Sequence, residues 1–452
     1  MKIKFKSLLR NSSILSAPGI ISIFISLISI PIHLNYAGPE NYGNYIIFHF
    51  ILIFSINFNL GIGKSVAISI NNFSKKRKEI SYEAINYTLY ISLIIFLLLL
   101  FIYILEKIID FNLLSFYEFS LHLFIGSIIT IFFITFEGIL QGNRKFKSIS
   151  ILNLLFFSFS ISIPSILLIY NNELSLQNLI LISIFIKFFS IFIMFFIIKN
   201  YDLFKKSNSK ILLENLKNNS KWITLNSLLV QFYDLFDKYL IKFFLGPIAV
   251  ATYSIPQQLT GKLSIISKSF SAFLLPDLSQ KKIDNYSFNF SLEIFMRIIP
   301  LIIFLLFPLY PFILNFWLGN SYNDTIYELT KIFSISVIFS CTSHILVTKF
   351  EASKTLYRNL RIEFFLMPIF LGFLFFLANG NYSLLQISFL ILFKEFILVL
   401  VRLNFLKQEI KKIKSYYLLS LSFLVILYLS FNNENLFYFS LIFLILNLFS
   451  KK

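Results

Sequence analysis

The chain has 452 residues, 57% of them hydrophobic, 19% aromatic and only 14% charged, with a mean hydropathy of +0.79. That is too little polar surface to cover a soluble globule, so the composition is that of an integral membrane protein. A formal net charge of +18 would suggest nucleic acid in a soluble chain, but here the basic residues sit in short loops between apolar runs, so the charge reads as membrane topology plus function and no nucleic-acid partner is expected.

The N-terminal MKIKFKSLLR is basic, and the apolar stretch after it, Ser12 to Leu34, is longer than a signal-peptide core and lacks a small-residue cleavage site. It reads as an uncleaved first span. Its Pro18, Ser22, Ser26, Ser29 and His33 share one face. Further spans are predicted at 44–70, 85–105, 118–140, 149–170, 178–198, 222–245, 249–276, 289–317, 326–349, 360–378, 383–405, 416–431 and 435–450, about fourteen in all. One alternate set of loops, with both termini, holds 29 of the 40 Lys and Arg, and the opposite set holds only Lys107. By the positive-inside rule both termini are expected to be cytoplasmic, and an even number of spans agrees by placing them on the same side.

Ten basic residues remain inside spans or at their edges: Lys64, Lys187, Lys238, Lys242, Lys262, Lys268, Arg297, Lys331, Lys394 and Arg402. Acidic residues in such places are fewer: Glu137, Asp234, Asp237, Glu293 and Glu395. Glu293 and Arg297 are an i,i+4 pair, and Glu137 and Arg402 are expected to snorkel to the interface. Each charge left in hydrocarbon costs roughly 2.5–3.5 kcal/mol, so such a group should face a bundle interior or a watery cavity. The most concentrated case is 222–245, where a helix stacks Ser227, Gln231, Asp234, Lys238 and Lys242 on one face. Asp234 and Asp237 are coupling candidates there, whose binding of a proton or cation would bias one state over another; the alternative is a static clamp on Lys238 and Lys242. Lys187 shares a face with Ser183 and Ser190, Lys268 lies with Gln257, Gly261, Ser264 and Ser271, and Asn57 precedes Lys64 by seven residues. Together Lys64, Lys187, Lys238, Lys242, Lys262, Lys268, Lys331 and Lys394 are expected to build a cationic cavity that binds an anionic substrate.

An internal repeat is visible. Ala37-Gly38-Pro39 followed by Tyr45 matches Leu245-Gly246-Pro247 followed by Tyr253, at an offset of 208. The domain reading is therefore a six-helix lobe over 1–198, a basic cytoplasmic linker over 199–221, a second six-helix lobe over 222–405 and two extra helices over 406–452. Such repeats place a site between the halves and permit alternating access. Enzyme signatures are weak: Gly61 to Ser65, GIGKS, lacks the first glycine of a phosphate loop, the four histidines show no metal-ligand spacing, and no Gly-x-Ser-x-Gly occurs. The single Cys341 can form no internal disulfide.

The segments LNYAGPENYGNY, NFNLGIGKSVA, EGILQGNRKFK, DLFDKYLIKFFLGPIAVATYSIPQQL and the LPDLS at Leu275 to Ser279, in this order, resemble the polysaccharide-transporter family, whose best-known members are the Wzx-type O-antigen flippases of the MOP superfamily. The resemblance covers most of the chain through the twelfth span. It implies an all-α, MATE-like polytopic protein of the bacterial inner membrane. It also implies a flippase that carries undecaprenyl-diphosphate-linked oligosaccharide to the periplasmic leaflet, without a cofactor and driven by a proton or sodium gradient. Expected partners are a polysaccharide polymerase and a chain-length regulator. A lipid II-type flippase and a multidrug or cation antiporter of the same superfamily are the alternatives, the last opposed by the positive charge of the expected cavity.

Overall fold

The computed structural model describes residues 2–59, 61–109, 120–143, 145–171, 173–199, 221–264, 266–268, 270–271, 286–353, 355–380, 382–408, 410 and 413–432. Among the described residues there is no strand, and eight helices are long and apolar enough to cross a membrane. The protein is an all-α, multi-pass membrane protein. The described parts of the predicted spans up to 416–431 are mainly helical, whereas 60, 118–119, 265, 269, 272–276 and 435–450 lie outside the described residues.

The helices follow in order: α1 (Lys2–Phe54), α2 (Ile62–Asn72), α3 (Arg77–Ile109), α4 (Ser120–Gly142), α5 (Phe146–Leu167), α6 (Leu176–Lys199), α7 (Lys221–Leu245) and α8 (Pro247–Gly261). After these come an interrupted α9 (Tyr286–Leu318), α10 (Asp324–Ala352), α11 (Leu356–Asn379), α12 (Leu384–Phe405) and α13 (Ile413–Asn432). By internal contacts the chain divides into Met1–Tyr239 and Leu240–Lys452. The division falls within α7; of the 199–221 linker, 200–220 lie outside the described residues.

The sequence repeat is a repeat of backbone. α1 is broken at Gly38 (φ 81, ψ 162), and Gly246 (φ 85, ψ 172) separates α7 from α8 in the same conformation. This region of φ/ψ space is open essentially to glycine alone. The proline that follows has φ preset for a first helical turn and no N–H to leave unpaired, so each Gly-Pro stops one helix and starts the next.

The predicted span 44–70 is not continuous. α1 ends at Phe54, a 3-10 turn covers Ser55–Asn59 and α2 begins after Gly61. Asn59 holds the break: its Nδ2 donates to the Ile131 carbonyl at 3.2 Å and to Thr135 Oγ1 at 2.8 Å, while its Oδ1 accepts from the Gly63 amide at 2.9 Å. A Cβ on Gly138 would stand 2.2 Å from the carbonyl oxygen of Gly63. The glycines of GIGKS and EGILQG thus serve a backbone-to-backbone crossing of α2 and α4. In α5 a π turn over Leu154–Phe159 leaves carbonyls with spare accepting capacity, as such turns do. It packs through Phe156, stacked on Phe133 of α4 at 3.8 Å.

Candidate functional site

Helix α7 enters the Met1–Tyr239 unit with its polar stripe. Gln231 Oε1 accepts from Asn57 Nδ2 at 2.5 Å, and Asn57 also donates to the Phe54 carbonyl at 3.1 Å. Asn57 sits in the broken stretch after α1, where the helix has stopped satisfying its own carbonyls, so its amide serves both the chain end and the stripe. Two turns on from Gln231, Lys238 is 1% exposed. Its Nζ lies 3.1 Å from Asp237 Oδ1 and 4.2 Å from the centroid of the Phe50 ring. Asp237 Oδ1 also accepts the Lys238 amide at 2.7 Å. The ion pair is therefore between sequence neighbours. The side chain of Asp234 lies outside the described residues.

The other lysines occupy separate environments. Lys187, 2% exposed at mid-length in α6, donates to the Phe156 carbonyl at 3.0 Å and stands 4.2 Å from the Phe156 ring. The π turn supplies that spare carbonyl, and cation–π attraction replaces a counter-ion. Lys331 of α10 is arranged alike in the Leu240–Lys452 unit: its Nζ donates to the Ser430 carbonyl at 3.2 Å and lies 4.3 Å from the rings of Tyr327 and Phe431. Lys394 of α12 pairs with Glu395 at 3.1 Å. Lys242 and Lys262 are half-buried, Lys268 is exposed, and the side chain of Lys64 lies outside the described residues. Of the ten predicted residues, the described contacts bring together Lys238 and Asp237.

Two constellations escaped sequence reasoning. Arg402 does not snorkel. It is 3% exposed, donates through Nε to Asn359 Oδ1 at 2.8 Å and pairs with Glu363, which is also 3% exposed. Glu363 inside the predicted span 360–378 was the available signal, since a buried guanidinium favours a carboxylate on the neighbouring helix over a long reach to water. Glu137 likewise stays in place, accepting from Asn153 Nδ2 at 2.9 Å. The second constellation gathers His33, Tyr45 and His49 of α1 with Ser165 of α5 and Ser183 of α6. His33 Nδ1 lies 2.9 Å from Ser165 Oγ, Ser183 Oγ lies 3.5 Å from His49 Nε2, and the Tyr45 hydroxyl donates to the Ile161 carbonyl at 3.1 Å. The chain break at Gly38 makes this meeting possible, because it folds His49 back toward His33.

Comparison with known proteins gives a consistent placement. The family model described as "Polysaccharide biosynthesis protein" matches residues 8–282. A Shigella flexneri protein named "Putative O-antigen transporter" is 26% identical over 333 residues, which are 70% of this chain and 78% of the relative. Among solved structures, an inward-facing multidrug resistance MATE transporter of the MOP superfamily superposes with a TM-score of 0.66 at 13% identity, covering 89% of this chain and 99% of its own. A MOP superfamily transporter from Pyrococcus furiosus, described as having a binding pocket of reversed polarity, gives 0.63 at 14% identity, over 89% of this chain and 96% of its own. The fold is thus that of the MOP transporters, and with more than half of its length matched by the family model the chain belongs to the polysaccharide biosynthesis protein family.

Proposed function

We propose that this protein is a flippase that moves undecaprenyl-diphosphate-linked oligosaccharide from the cytoplasmic to the periplasmic leaflet of the bacterial inner membrane, driven by a proton or sodium gradient and without a cofactor. Family membership, the O-antigen transporter relative and the MOP fold support a carrier of lipid-linked sugar. The observation that carries the reading is the excess of basic groups in the helices, with Lys187, Lys238, Lys331 and Lys394 between 1% and 7% exposed. A buried ammonium is expensive in hydrocarbon and is retained where an anion must pass.

In this reading the diphosphate meets lysines drawn from Lys64, Lys187, Lys238, Lys242, Lys262, Lys268, Lys331 and Lys394, while the Asn57–Gln231 amides and nearby rings meet sugar hydroxyls and faces. The polyprenyl tail stays in lipid. Asp237 acts as a clamp on Lys238, and Asp234 is tested below as a coupling group. Both termini are cytoplasmic, and the partners are the polymerase and chain-length regulator that receive the flipped unit.

The test is complementation of a flippase-deleted host carrying the matching sugar-assembly genes, with wild type, Lys238→Ala and Asp234→Asn at equal membrane levels. Surface polysaccharide restored by wild type and lost in both variants supports the reading and the stripe. Restoration by all three keeps the transport function and reduces the stripe to packing. Failure of the wild type overturns the reading.

A further inference from the structure

Tyr45 and Tyr253 stand at repeat-related positions, each seven residues after the glycine of its Gly-Pro break, and both are fully buried. Their surroundings differ in chemistry. Tyr253 packs edge-on against Phe333, centroids 5.1 Å apart. Tyr45 lies between two imidazoles: the centroid of His33 is 4.8 Å away and that of His49 is 4.5 Å away. Position 208 residues after His33 is Ile241, and after His49 it is Gln257. The second unit builds the same turn and buries the same tyrosine without either imidazole, so the turn does not require them.

The pair is enclosed. His33 is 0% and His49 4% exposed, and His33 Nε2 is buried with no hydrogen-bond partner among the described residues. Facing them are Tyr42 and Tyr45 from α1, Ser165 and the carbonyls of Ser160 and Ile161 from α5, and Ser183 from α6. Lys187 stands on α6 one turn beyond Ser183, whose hydroxyl reaches His49. Helix α4, packed against α6, contributes no hydrogen bond or ion pair to the two imidazoles or to Lys187 among the described contacts. No carboxylate among the described residues is bonded or ion-paired to His33, His49 or Lys187.

We propose that His33 and His49 form a proton-binding site, lodged inside the N-terminal unit and built without a carboxylate, that couples the gradient to transport. The proposal rests on the flippase reading for its purpose but not for its existence. Loading adds one proton to a ring nitrogen and gives one imidazolium; unloading returns it to water, and no bond between heavy atoms changes. A proton on His33 Nε2 creates a donor where the present packing offers no acceptor, so the loaded site favours another arrangement of α1 about Gly38. Lys187 sets the limit on loading. Its ammonium is held by a carbonyl and rings, none of which can cancel a second positive charge nearby, so the proton and the Lys187 charge compete for the cluster.

The test is histidine-selective 15N labelling of the full chain in lipid nanodiscs. The sequence has four histidines, so His33→Gln and His49→Gln assign the signals directly. Ring titrations are followed from about pH 5 to about pH 9, the range in which imidazole chemistry is accessible, in wild type, Lys187→Met and Lys187→Arg. The expected result is titration of His33 or His49 within that range, a midpoint raised by about one pH unit or more in Lys187→Met, and wild-type behaviour in Lys187→Arg. Silence of both rings in wild type and Lys187→Met overturns the proposal, as does a midpoint indifferent to Lys187. If Lys187→Met fails to fold, Ser183→Ala replaces it, and the His49 signal must then respond to loss of its hydroxyl neighbour. In vesicles containing a fluorescent polyprenyl-diphosphate-linked sugar, His33→Gln and His49→Gln should abolish acceleration of flipping by an imposed proton gradient, and retained acceleration in both overturns the proposal. A wild type that titrates as expected but moves no probe removes the flippase reading and leaves the proton site standing.

Discussion

The interior where α1, α5 and α6 meet and the interior where α11 and α12 meet both bury cations, and they satisfy them by opposite means. Between α11 and α12, Arg402 has a full counter-charge in Glu363 and a further acceptor in Asn359. Around α6, Lys187 has a carbonyl dipole and aromatic faces. A charge cancelled by a carboxylate is a fixed structural element, because moving either partner exposes the other. A charge held by dipoles and rings is retained at lower cost of release. The first arrangement suits a scaffold and the second suits a group that must respond to a proton or an anion.

The difference predicts a graded series. Arg402→Ala orphans Glu363 and should cost about 3–5 kcal/mol, read as denaturant unfolding in micelles; the double change Arg402→Met with Glu363→Leu should recover most of it, and a double variant as unstable as the single one would contradict the pairing. Lys394→Met leaves Glu395 unpaired at a partly exposed site, with side-chain exposure of 16%, so about 1–3 kcal/mol is expected by the same method. Gly38→Ala and Gly246→Ala should each lower stability by about 1–3 kcal/mol. Nothing lies within 4 Å of a Cβ built at either position, so the cost is conformational and the two thermal shifts should match; a large inequality would separate the two halves of the repeat. Phe50→Leu removes the ring beneath Lys238 and should cost about 0.5–2 kcal/mol. Smallest is Lys187→Met, below about 1 kcal/mol, because no charge is orphaned and the Phe156 carbonyl keeps the Ser160 hydroxyl at 2.5 Å. A thermal shift for Lys187→Met as large as that of Arg402→Ala would abolish the distinction between the two regions.

Much of the fold was legible because span length and hydropathy are local properties. The Gly-Pro repeat was legible too, since a φ/ψ region open to glycine alone leaves its mark in two adjacent letters. What escaped depended on distance along the chain. Glu363 and Arg402 are 39 residues apart, and from Arg402 alone, near a helix end, reach to the interface was the simpler reading. The interruption at Ser55–Asn59 was hidden in an apolar stretch because its cause is Asn59 bonding to α4, a tertiary contact. The histidines were sought at metal-ligand spacing, where they fail; His33 and His49 meet only after the chain reverses at Gly38. A visible clue was the polar face Ser22, Ser26, Ser29 and His33, which a lipid-facing helix has no reason to carry.

The openness around Gly38 and Gly246 also bears on biosynthesis. Because nothing stands within 4 Å of a Cβ built at either glycine, and the side-chain bond at the first turn, from Asn41 Nδ2 to the Ala37 carbonyl at 2.9 Å, is local, each turn is encoded by its own few residues. A ribosome-bound chain can therefore reverse direction at each Gly-Pro while still in the translocon, delivering the flanking helices as ready hairpins. The buried histidines, lysines and arginine would then acquire their neighbours only after insertion, during lateral assembly in the bilayer.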